Sequence, residues 1–462
     1  METAFDIAAD LDTPVSAYLK LAPFRPRFLL ESVEGGDRLG RYSFIGFGDA
    51  LEMRYSGGRL IGAGRPDVMP QGRVELLEVL REALAAAPRP APTIPGVPFQ
   101  GGLVGFNGFG MYRQFEDLPA DPHPANGGPP DAAYVAPRSV LVFDHLTRRV
   151  ALLHDGTEAD RARLRREVIG ALRGPVPPRP AIRPHEKPSR TLDTAAYVAG
   201  VDTVKDHIRA GDVYQLVLSV CFSGQCDVPP FEVYRALRLL NPSPYLFFCE
   251  FGDVAVVGSS PEALVRLQGR QASLRPIAGT RPRGRDHTED RALERELLDD
   301  PKENAEHVML VDLARNDLGR VAVPGSVKVD PYRIIERYSH VMHIVSGVQG
   351  VLAPDRDAFD LFAASFPAGT VVGAPKIRAM EIISGLEPQP RGIYAGTVGY
   401  FGHGGTMDQA IAIRTLVFHD GRYAYQAGAG IVADSVPERE EAEVLAKSAA
   451  LEAALSLAEE GL

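Results

Sequence analysis

The sequence predicts an α+β fold built on largely antiparallel sheets. Strand-like segments follow one another across short turns, as in Tyr245 to Val257 with its turn at Gly252, more often than they alternate with helical segments. A doubly wound parallel sheet would need a helix after nearly every strand. The chain has 462 residues, 45% of them hydrophobic and 24% charged, which indicates a soluble globular protein with two or three domains, or one oversized domain with an appended one.

A proline-rich stretch divides the chain. Gly174 to Pro188 contains so much proline that extended backbone is favoured over packed helices or strands. We therefore predict an N-terminal domain at residues 1–173, a linker at 174–190 and a C-terminal domain at 191–462.

The individual elements follow from apolar periodicity and from turn and cap residues. Before the linker, the predicted elements are a helix at Val74 to Ala87 and strands at Tyr134 to Phe143 and Arg149 to His154. After it, they are helices at Asp193 to Ala210 and Phe231 to Leu240, a strand at Val213 to Phe222, strands within Tyr245 to Val257, and a final helix at Pro437 to Glu459. Ser435 is the predicted cap of the final helix.

Charge and cysteine content limit the partners of the protein. With 50 basic and 60 acidic residues, the net charge of −10 disfavours binding to nucleic acid or to anionic membranes, so we expect a small-molecule ligand. The three cysteines form no CxxC pair, so they indicate neither a disulfide framework nor a zinc ribbon and fit a reducing, cytoplasmic setting. No apolar run approaches the roughly 20 residues of a membrane helix, and the N-terminus lacks a basic segment followed by an apolar core. We expect a protein that is neither exported nor membrane-spanning.

Two pairs of glutamates are spaced like halves of a metal site. Glu303 and Glu306 lie three residues apart on a predicted helix that is capped by Asp299 or Asp300 and has Pro301 in its first turn. Glu440 and Glu443 have the same spacing on the final helix, just after the Gly428 to Val432 strand end. If the two faces met, each close pair of carboxylates would repel by roughly 1 to 4 kcal/mol, and Mg²⁺ would remove that penalty. For either pair alone, a solvated helix face is the commoner explanation.

His307, next to Glu306, suggests a zinc ligand at first sight. Adjacent helical residues point about 100° apart, however, so a core position or support for a ligand fits this histidine better.

Beyond these pairs, the region from about Asp193 to Leu455 resembles the chorismate-utilising enzyme family. The motifs that carry the resemblance are Gly211-Asp-Val-Tyr-Gln215, Ser260-Pro-Glu262, Pro276-Ile-Ala-Gly-Thr280, Glu306-His-Val-Met-Leu-Val-Asp312, Met342-His343, Pro367-Ala-Gly-Thr370, Tyr394-Ala-Gly-Thr397, Ile413-Arg414 and Gly428-Ala-Gly430. Within the family the sequence is most similar to anthranilate synthase component I, and Leu29-Leu-Glu-Ser32 and Asn241-Pro-Ser-Pro-Tyr245 extend the similarity over nearly the whole chain. The resemblance implies an α/β/β/α sandwich with an intertwined N-terminal regulatory domain.

The resemblance also implies a magnesium site and a substrate pocket. Glu306 and Glu443 would bind Mg²⁺ directly and Glu303 and Glu440 through water, so that the metal holds the ring carboxylate of chorismate. The residues implied to contact or line the substrate are Arg414, Tyr394, Gly279, Thr280, Gly428, Ala429, Gly430 and Lys447. Arg414, Tyr394 and the backbone amides at Gly428 and Gly430 suit the enolpyruvyl carboxylate. Lys447 either touches substrate or pairs with Glu443 one turn before it.

The implied catalytic residues are Glu262, His343, Gln215 and Thr370. Glu262 is the candidate general acid for the leaving C4 hydroxyl, which requires a raised pKa. The alternative is a surface glutamate after Pro261. His343 would assist pyruvate elimination, although a lone histidine in an apolar run is more often a core residue.

Two positions discriminate between reactions in the family. Members that add water carry a lysine base where this chain has Gln215, and ammonia needs no such base. Many synthases that stop at aminodeoxychorismate carry lysine where this chain has Ala278. The resemblance therefore implies a magnesium-dependent lyase that forms anthranilate, with the folate-pathway aminodeoxychorismate synthase as the alternative.

Partners and regulation are implied in the same way. None of the cysteines lies in a Gly-x-Cys-x-Gly elbow, so ammonia would come from a separate glutamine amidotransferase subunit, within a heterotetramer. A tryptophan-binding inhibitory site is implied at Leu30, Glu31, Ser32, Arg41, Pro244, Tyr245 and Leu246. Read without the resemblance, these segments are a strand end and a turn. A tryptophan sensor without catalytic activity is a further alternative, opposed by the presence of every expected catalytic residue.

Overall fold

The computed structural model describes residues 4–34, 38–62, 67–70, 72–118, 127–179, 182–338 and 341–462. It shows large antiparallel sheets flanked by helices, which confirms the predicted α+β class. The helices are α1 Pro14–Lys20, α2 Arg73–Ala86, α3 Glu158–Leu172, α4 Thr194–Arg209, α5 Pro230–Leu240, α6 His287–Asp299, α7 Pro301–Gly319, α8 Ala358–Ser365, α9 Lys376–Leu386 and α10 Pro437–Glu460.

In the described residues the strands outnumber the helices. They are β1 Ile7–Ala8, β2 Phe28–Glu31, β3 Val33–Glu34, β4 Arg38–Leu39, β5 Tyr42–Ser56, β6 Arg59–Gly62, β7 Gly102–Asn107, β8 Ala132–Asp144, β9 Arg149–His154, β10 Ser189–Arg190, β11 Gln215–Gln225, β12 Tyr245–Phe251, β13 Val254–Ser260, β14 Ala263–Gln268, β15 Gln271–Leu274, β16 Ile277–Pro282, β17 Lys328–Val329, β18 Ile334–Arg337, β19 Val341–Val345, β20 Val348–Val351, β21 Gly373–Ala374, β22 Thr397–Gly402, β23 Thr406–Ile411, β24 Thr415–His419 and β25 Arg422–Ile431. Every helix and strand predicted above is present, with ends that differ by at most three residues.

Helix caps account for one confirmed prediction and one wrong prediction. The Asp300 side chain accepts hydrogen bonds from the backbone N–H groups of Lys302 and Glu303 at 2.9 and 3.3 Å, so it caps α7 as predicted. Ser435 does not cap α10. Its hydroxyl accepts from the N–H of Val432 at 3.0 Å, because the chain turns back on itself before the helix begins.

The main strands pair in one continuous antiparallel series. The order is β11, β25, β24, β13, β12, β2, β5, β8, β7, β22, β23, β14, β15 and β20. The long strands β5 and β8 join the two halves and contain a bulge between Phe47 and Ala50. One buried cluster includes Phe247 and Val256 from the first half and Phe106 and Val398 from the second, so the halves pack face to face.

Helices cover both outer faces of this stack. α4 and α10 pack on β11 and β25, whereas α8 packs on β14 and also contacts α2 and α7. A second buried cluster accordingly joins Leu218 and Ala427 of the sheet to Val201 of α4 and Leu451 of α10. The layer order is the α/β/β/α sandwich that the sequence implied.

The N-terminal part of the chain is woven into both halves. β2 pairs with β12, and β7 pairs with β22, so strands that precede the proline-rich stretch lie between strands that follow it. Both of these pairings therefore join a strand before the predicted linker at residues 174–190 to a strand after it. The N-terminal segment is therefore intertwined with the rest, as the fold prediction stated.

The described part of the chain has free thiols at Cys221, Cys226 and Cys249. None of its helices combines the length and the apolarity needed to cross a membrane.

Candidate active site

A small three-stranded sheet, β18–β19–β16, holds His343 at the edge of the candidate site. Met342 and Ile344 are fully buried on one face of β19, so strand alternation turns His343 to the other face. Its Nδ1 lies 2.9 Å from the carbonyl oxygen of Gly279. Because a carbonyl only accepts, Nδ1 carries the proton and Nε2 is left as the basic nitrogen. Burial lowers the pKa of His343, which keeps the ring neutral at neutral pH.

Gly279 is a structural requirement of this arrangement. It lies at a bulge between Ala278 and Thr280 and has a φ of +66°. A β-carbon there would lie 3.1 Å from the Glu303 carboxylate and 2.9 Å from Leu297. The hydroxyl of Thr280 is 3.1 Å from His343 Nδ1, so the bulge brings the predicted pocket residues against both the histidine and the first acidic pair.

Glu262 occupies the short connection between β13 and β14. Its side chain is half-buried, and Thr370 Oγ1 donates a hydrogen bond to Oε1 at 2.9 Å. Burial raises the pKa of Glu262 to about 7, while the Thr370 hydrogen bond and the charge of Lys447 act in the opposite direction. A carboxyl group with this pKa can donate a proton near neutral pH, which a solvated surface glutamate does poorly.

The β11–β25 pairing carries the next group of predicted residues. Gly430 lies opposite Val217, and a β-carbon on Gly430 would approach Gln215 Nε2 to 2.6 Å. A β-carbon on Gly428 would approach the Tyr394 hydroxyl to 2.9 Å. Both glycines therefore leave space directly beside predicted site residues.

Ala429 faces the other way. Its side chain is fully buried among the residues that pack against the helices, because neighbouring residues of a strand point to opposite faces. The prediction that Ala429 lines the substrate pocket is therefore restricted to its backbone.

Arg414 is a cation without an acidic partner in the described part of the chain. Its guanidinium donates to Asn241 Oδ1 at 3.3 Å, and burial lowers its pKa. The charge of Arg414 also lowers the pKa of His343, which places the two side chains near each other. A desolvated, unpaired guanidinium is ready to bind an anion, because a carboxylate would replace the hydration it has lost.

The Tyr394 hydroxyl lies beside Gly428 and is neutral. Burial raises the pKa of Tyr394 to about 12, so the hydroxyl stays protonated and can donate to an oxyanion.

Lys447 joins the acidic pairs to the glycine strand. Its Nζ lies 2.7 Å from Glu443 Oε1 and donates to the carbonyl of Gly428 at 3.0 Å. Of the two roles considered for Lys447, the structure shows the helix ion pair.

The two acidic pairs lie near enough for Glu443 of one to affect the pKa of Glu306 of the other. Burial raises the pKa of Glu306, and repulsion from Glu303 and Glu443 raises it further. A hydrogen bond from Gln215 Nε2 to Glu306 Oε1, at 3.3 Å, acts in the opposite direction and lowers the pKa. Burial and the nearby Glu443 also raise the pKa of Glu440. Oxygen-only donors that repel one another fit a hard divalent cation. Among the described residues, no three His, Cys, Asp or Glu side chains converge closely enough to bind one metal ion as they stand.

His307 belongs to the core rather than to the site. It is fully buried, its Nε2 lies 2.7 Å from Ser346 Oγ, and burial lowers its pKa to about 4. The structure therefore places His307 in the core, one of the two positions that the sequence argument preferred.

The residues predicted for tryptophan form a second location where β2 meets β12. Leu246 lies opposite Glu31, and Phe247 lies opposite Leu30. Pro244 and Tyr245, just before and at the start of β12, line a cavity of about 230 Å³ whose other walls come from β14, β15, β16, β19 and β20 and their connections rather than from β2. The backbone of Ser32 accepts from Gly40 N–H at 2.6 Å, next to Arg41.

Several of these side chains already have protein partners. Glu31 is buried and accepts hydrogen bonds from Tyr234 and Arg238 at 2.5 and 2.9 Å. The Tyr245 hydroxyl donates to Asp408 at 2.9 Å, and Arg41 forms an ion pair with Asp144 at 3.2 Å. The polar groups of Glu31, Tyr245 and Arg41 are therefore already engaged within the protein.

Sequence reasoning missed the ion pair of Glu387 and Arg391 behind Tyr394. The guanidinium carbon of Arg391 lies 5.6 Å from the centre of the Tyr394 ring. The spacing of four residues was visible, but Arg391 follows the end of α9, so no helical pattern marked the pair.

Comparison with known proteins agrees with this geometry. The family model described as chorismate binding enzyme matches residues 25–453. The chain belongs to the chorismate binding enzyme family. Its relatives include anthranilate synthase component 1 of Thermus thermophilus, 47% identical with 98% of this chain and 97% of the relative covered. The same protein of Pseudomonas putida is 45% identical, with 99% and 95% covered.

A solved structure of the chorismate binding enzyme family has the same fold. The crystal structure of anthranilate synthase component I from Streptococcus pneumoniae matches with a TM-score of 0.78 and 36% identity, and covers 89% of this chain and 92% of its own.

The raised pKa of Glu262 gives a testable stability effect. A carboxyl whose pKa rises from about 4.5 unfolded to about 7 folded stabilises the protein fully below pH 4.5, and that contribution is lost as the pH rises through 7. Relative to Glu262→Gln, the wild-type chain should therefore lose up to about 3 kcal/mol of unfolding free energy between pH 4.5 and pH 8. Urea denaturation at both pH values measures this difference. A difference between variant and wild type that does not change with pH would contradict the assigned pKa.

Proposed function

We propose that the chain converts chorismate and ammonia to anthranilate and pyruvate, the first step of tryptophan biosynthesis. The observation that carries the proposal is Gln215, whose amide hydrogen-bonds to Glu306 at the position where water-adding members have a lysine base. An amide cannot deprotonate water, whereas ammonia attacks without a base. Ala278 in the bulged strand and the names of the relatives support the same choice over aminodeoxychorismate synthase.

In the proposed reaction, ammonia attacks C2 of chorismate while the C4 hydroxyl leaves as water. Glu262 donates the proton that the leaving hydroxyl needs, and Thr370 holds the carboxyl group in place through its hydrogen bond. The pKa of about 7 supports this role, since the acid form is present near neutral pH.

Pyruvate elimination then makes the ring aromatic. The C2 proton is lost, the bond between the ring carbon C3 and the enolpyruvyl oxygen breaks, and the released enolpyruvate takes up a proton on its methylene carbon to become pyruvate. We assign His343 to this step, since Nε2 is the basic nitrogen of a neutral ring that Gly279 orients through Nδ1. Arg414 and the Tyr394 hydroxyl bind the enolpyruvyl carboxylate, which the unpaired guanidinium supports.

Mg²⁺ is the proposed cofactor. Glu306 and Glu443 would bind it directly, with Glu303 and Glu440 through water. When bound, it would hold and polarise the ring carboxylate of the substrate.

A glutamine amidotransferase subunit is the proposed source of ammonia. The names of the relatives include the word component, which supports a second subunit, and we propose a heterotetramer. Tryptophan is the proposed feedback inhibitor, bound where β2 meets β12.

Product identity tests the proposed function. Incubation of the chain with chorismate, Mg²⁺ and an ammonium salt at high pH should yield anthranilate, detected by its fluorescence, and an equal amount of pyruvate. Accumulation of aminodeoxychorismate would favour the folate-pathway reaction. Isochorismate or salicylate would refute both.

The metal assignment predicts the effect of replacing a single carboxylate by an amide. Glu306→Gln keeps the size of the side chain and removes its charge, so activity that depends on Mg²⁺ should fall by at least about 100-fold, while tryptophan binding is retained. A matched control is Glu438→Gln, an exposed change in the first turn of α10 beside the second acidic pair. A magnesium titration of activity compares the variants, and turnover by Glu306→Gln at the wild-type rate would refute the assignment.

The inhibitor assignment predicts separate effects on regulation and catalysis. Ser32 lies at the end of β2, away from the groups assigned to chemistry, so Ser32→Ala should weaken tryptophan inhibition and leave turnover without tryptophan unchanged. Inhibition curves at fixed chorismate measure both quantities. Unaltered inhibition by tryptophan would place the inhibitor elsewhere.

A further inference from the structure

A buried ion pair lies directly behind the candidate active site. The side chains of Glu387 and Arg391 are 4% and 1% exposed. Arg391 donates to both carboxylate oxygens of Glu387, from Nη2 at 2.7 Å and from Nε at 2.8 Å. Burial of two charges is costly, so such a pair persists only where its other donors and acceptors are also satisfied.

Arg391 satisfies its other donors on two separate elements of the site. Nη1 donates to the carbonyl of Val371 at 2.7 Å, in the turn Gly369–Val371 that presents Thr370 to Glu262. Nη2 donates to the carbonyl of Val217 at 2.7 Å, in β11. A single planar group therefore fixes the distance between this turn and the strand.

Glu387 anchors the same strand at a second point. Its Oε1 accepts from the N–H and the hydroxyl of Ser219 at 2.9 and 2.7 Å. Ser219 lies opposite Gly428 in the β11–β25 pairing. The pair thus holds β11 at both positions that face the glycines of the site.

The guanidinium plane also supports Tyr394. Its carbon lies 5.6 Å from the centre of the Tyr394 ring and 4.8 Å from that of Phe109. Phe109 comes from the N-terminal part of the chain, and its N–H donates to the carbonyl of Gly392 at 2.7 Å. Cation–π contacts on two rings restrict the orientation of the tyrosine.

We propose that Arg391, held by Glu387, is a positioning residue that keeps Thr370, Tyr394 and β11 in the arrangement that catalysis requires. It touches none of the reacting atoms and acts through the residues that do. The inference rests on the proposed function, since it assigns the pair to that same reaction. Lysine cannot replace it, because one ammonium group lacks the fork that reaches Glu387, Val371 and Val217 together.

Arg391→Lys tests the proposal in the full-length chain, with chorismate, Mg²⁺ and an ammonium salt as substrates. Displacement of Thr370 from its hydrogen bond with Glu262 should lower kcat by about tenfold or more, with a smaller change in KM. Because the Thr370 hydrogen bond lowers the pKa of Glu262, its weakening should also move the alkaline limb of the kcat–pH profile to higher pH. Lys447, the other group that lowers the pKa of Glu262, is unchanged in this variant.

Lys20→Met is the control for a loss of stability alone. Lys20 forms an ion pair with Asp12 at 2.7 Å, with side chains 12% and 9% exposed, and belongs to α1, which packs on α3 and β5. This variant should lower the melting temperature and leave kcat and the pH profile unchanged. A wild-type kcat and a wild-type alkaline limb in Arg391→Lys would overturn the proposal.

A milder variant decides the matter if Arg391→Lys does not fold. Phe109→Leu removes one of the two rings that hold the guanidinium, and it should move the alkaline limb in the same direction by a smaller amount. An unmoved limb in Phe109→Leu would then overturn the proposal. Failure of the wild-type chain to form anthranilate would instead refute the proposed function, so the two failures are distinguishable.

Discussion

The pairing of β11 with β25 is the interaction on which the rest of the site depends. Its register sets Gly430 and Gly428 opposite Val217 and Ser219, and Gln215, one residue before the pairing begins, hydrogen-bonds to Glu306 of α7. A slip of one residue would exchange the two faces of the strand and put Ala429 into the pocket. The same strand packs on α4 on one side and is tied to Arg391 and Glu387 on the other.

Desolvation gives the site its chemical character. It is the largest influence on the pKa values of Glu262, His343, Glu306 and Arg414, and it makes an acid, a base, a repelling carboxylate pair and an unpaired cation available at once. These groups are costly to bury in the free protein. An anionic substrate with a divalent cation would compensate for that cost, which is why the arrangement favours binding of charged ligands over a purely structural role.

The N-terminal part of the chain contributes to both locations. β2 pairs with β12 at the proposed inhibitor site, and Phe109 packs on the guanidinium that supports Tyr394. The two locations therefore share one continuous antiparallel series of strands rather than belonging to separate folding units.

The sequence by itself determined the elements, narrowed the cap of α7 to Asp299 or Asp300, and supplied the candidate site residues, because periodicity, cap chemistry and spaced motifs are local properties of the chain. Tertiary structure decided what those residues do. It paired Lys447 with Glu443, turned Ala429 away from the pocket, and gave the hydroxyl of Ser435 to a turn. It also brought Arg391 behind Tyr394, a contact between a loop residue and a ring that no spacing in the sequence marks. These outcomes depend on strand register and on the packing of elements distant in sequence, which fix side-chain direction, burial and therefore pKa.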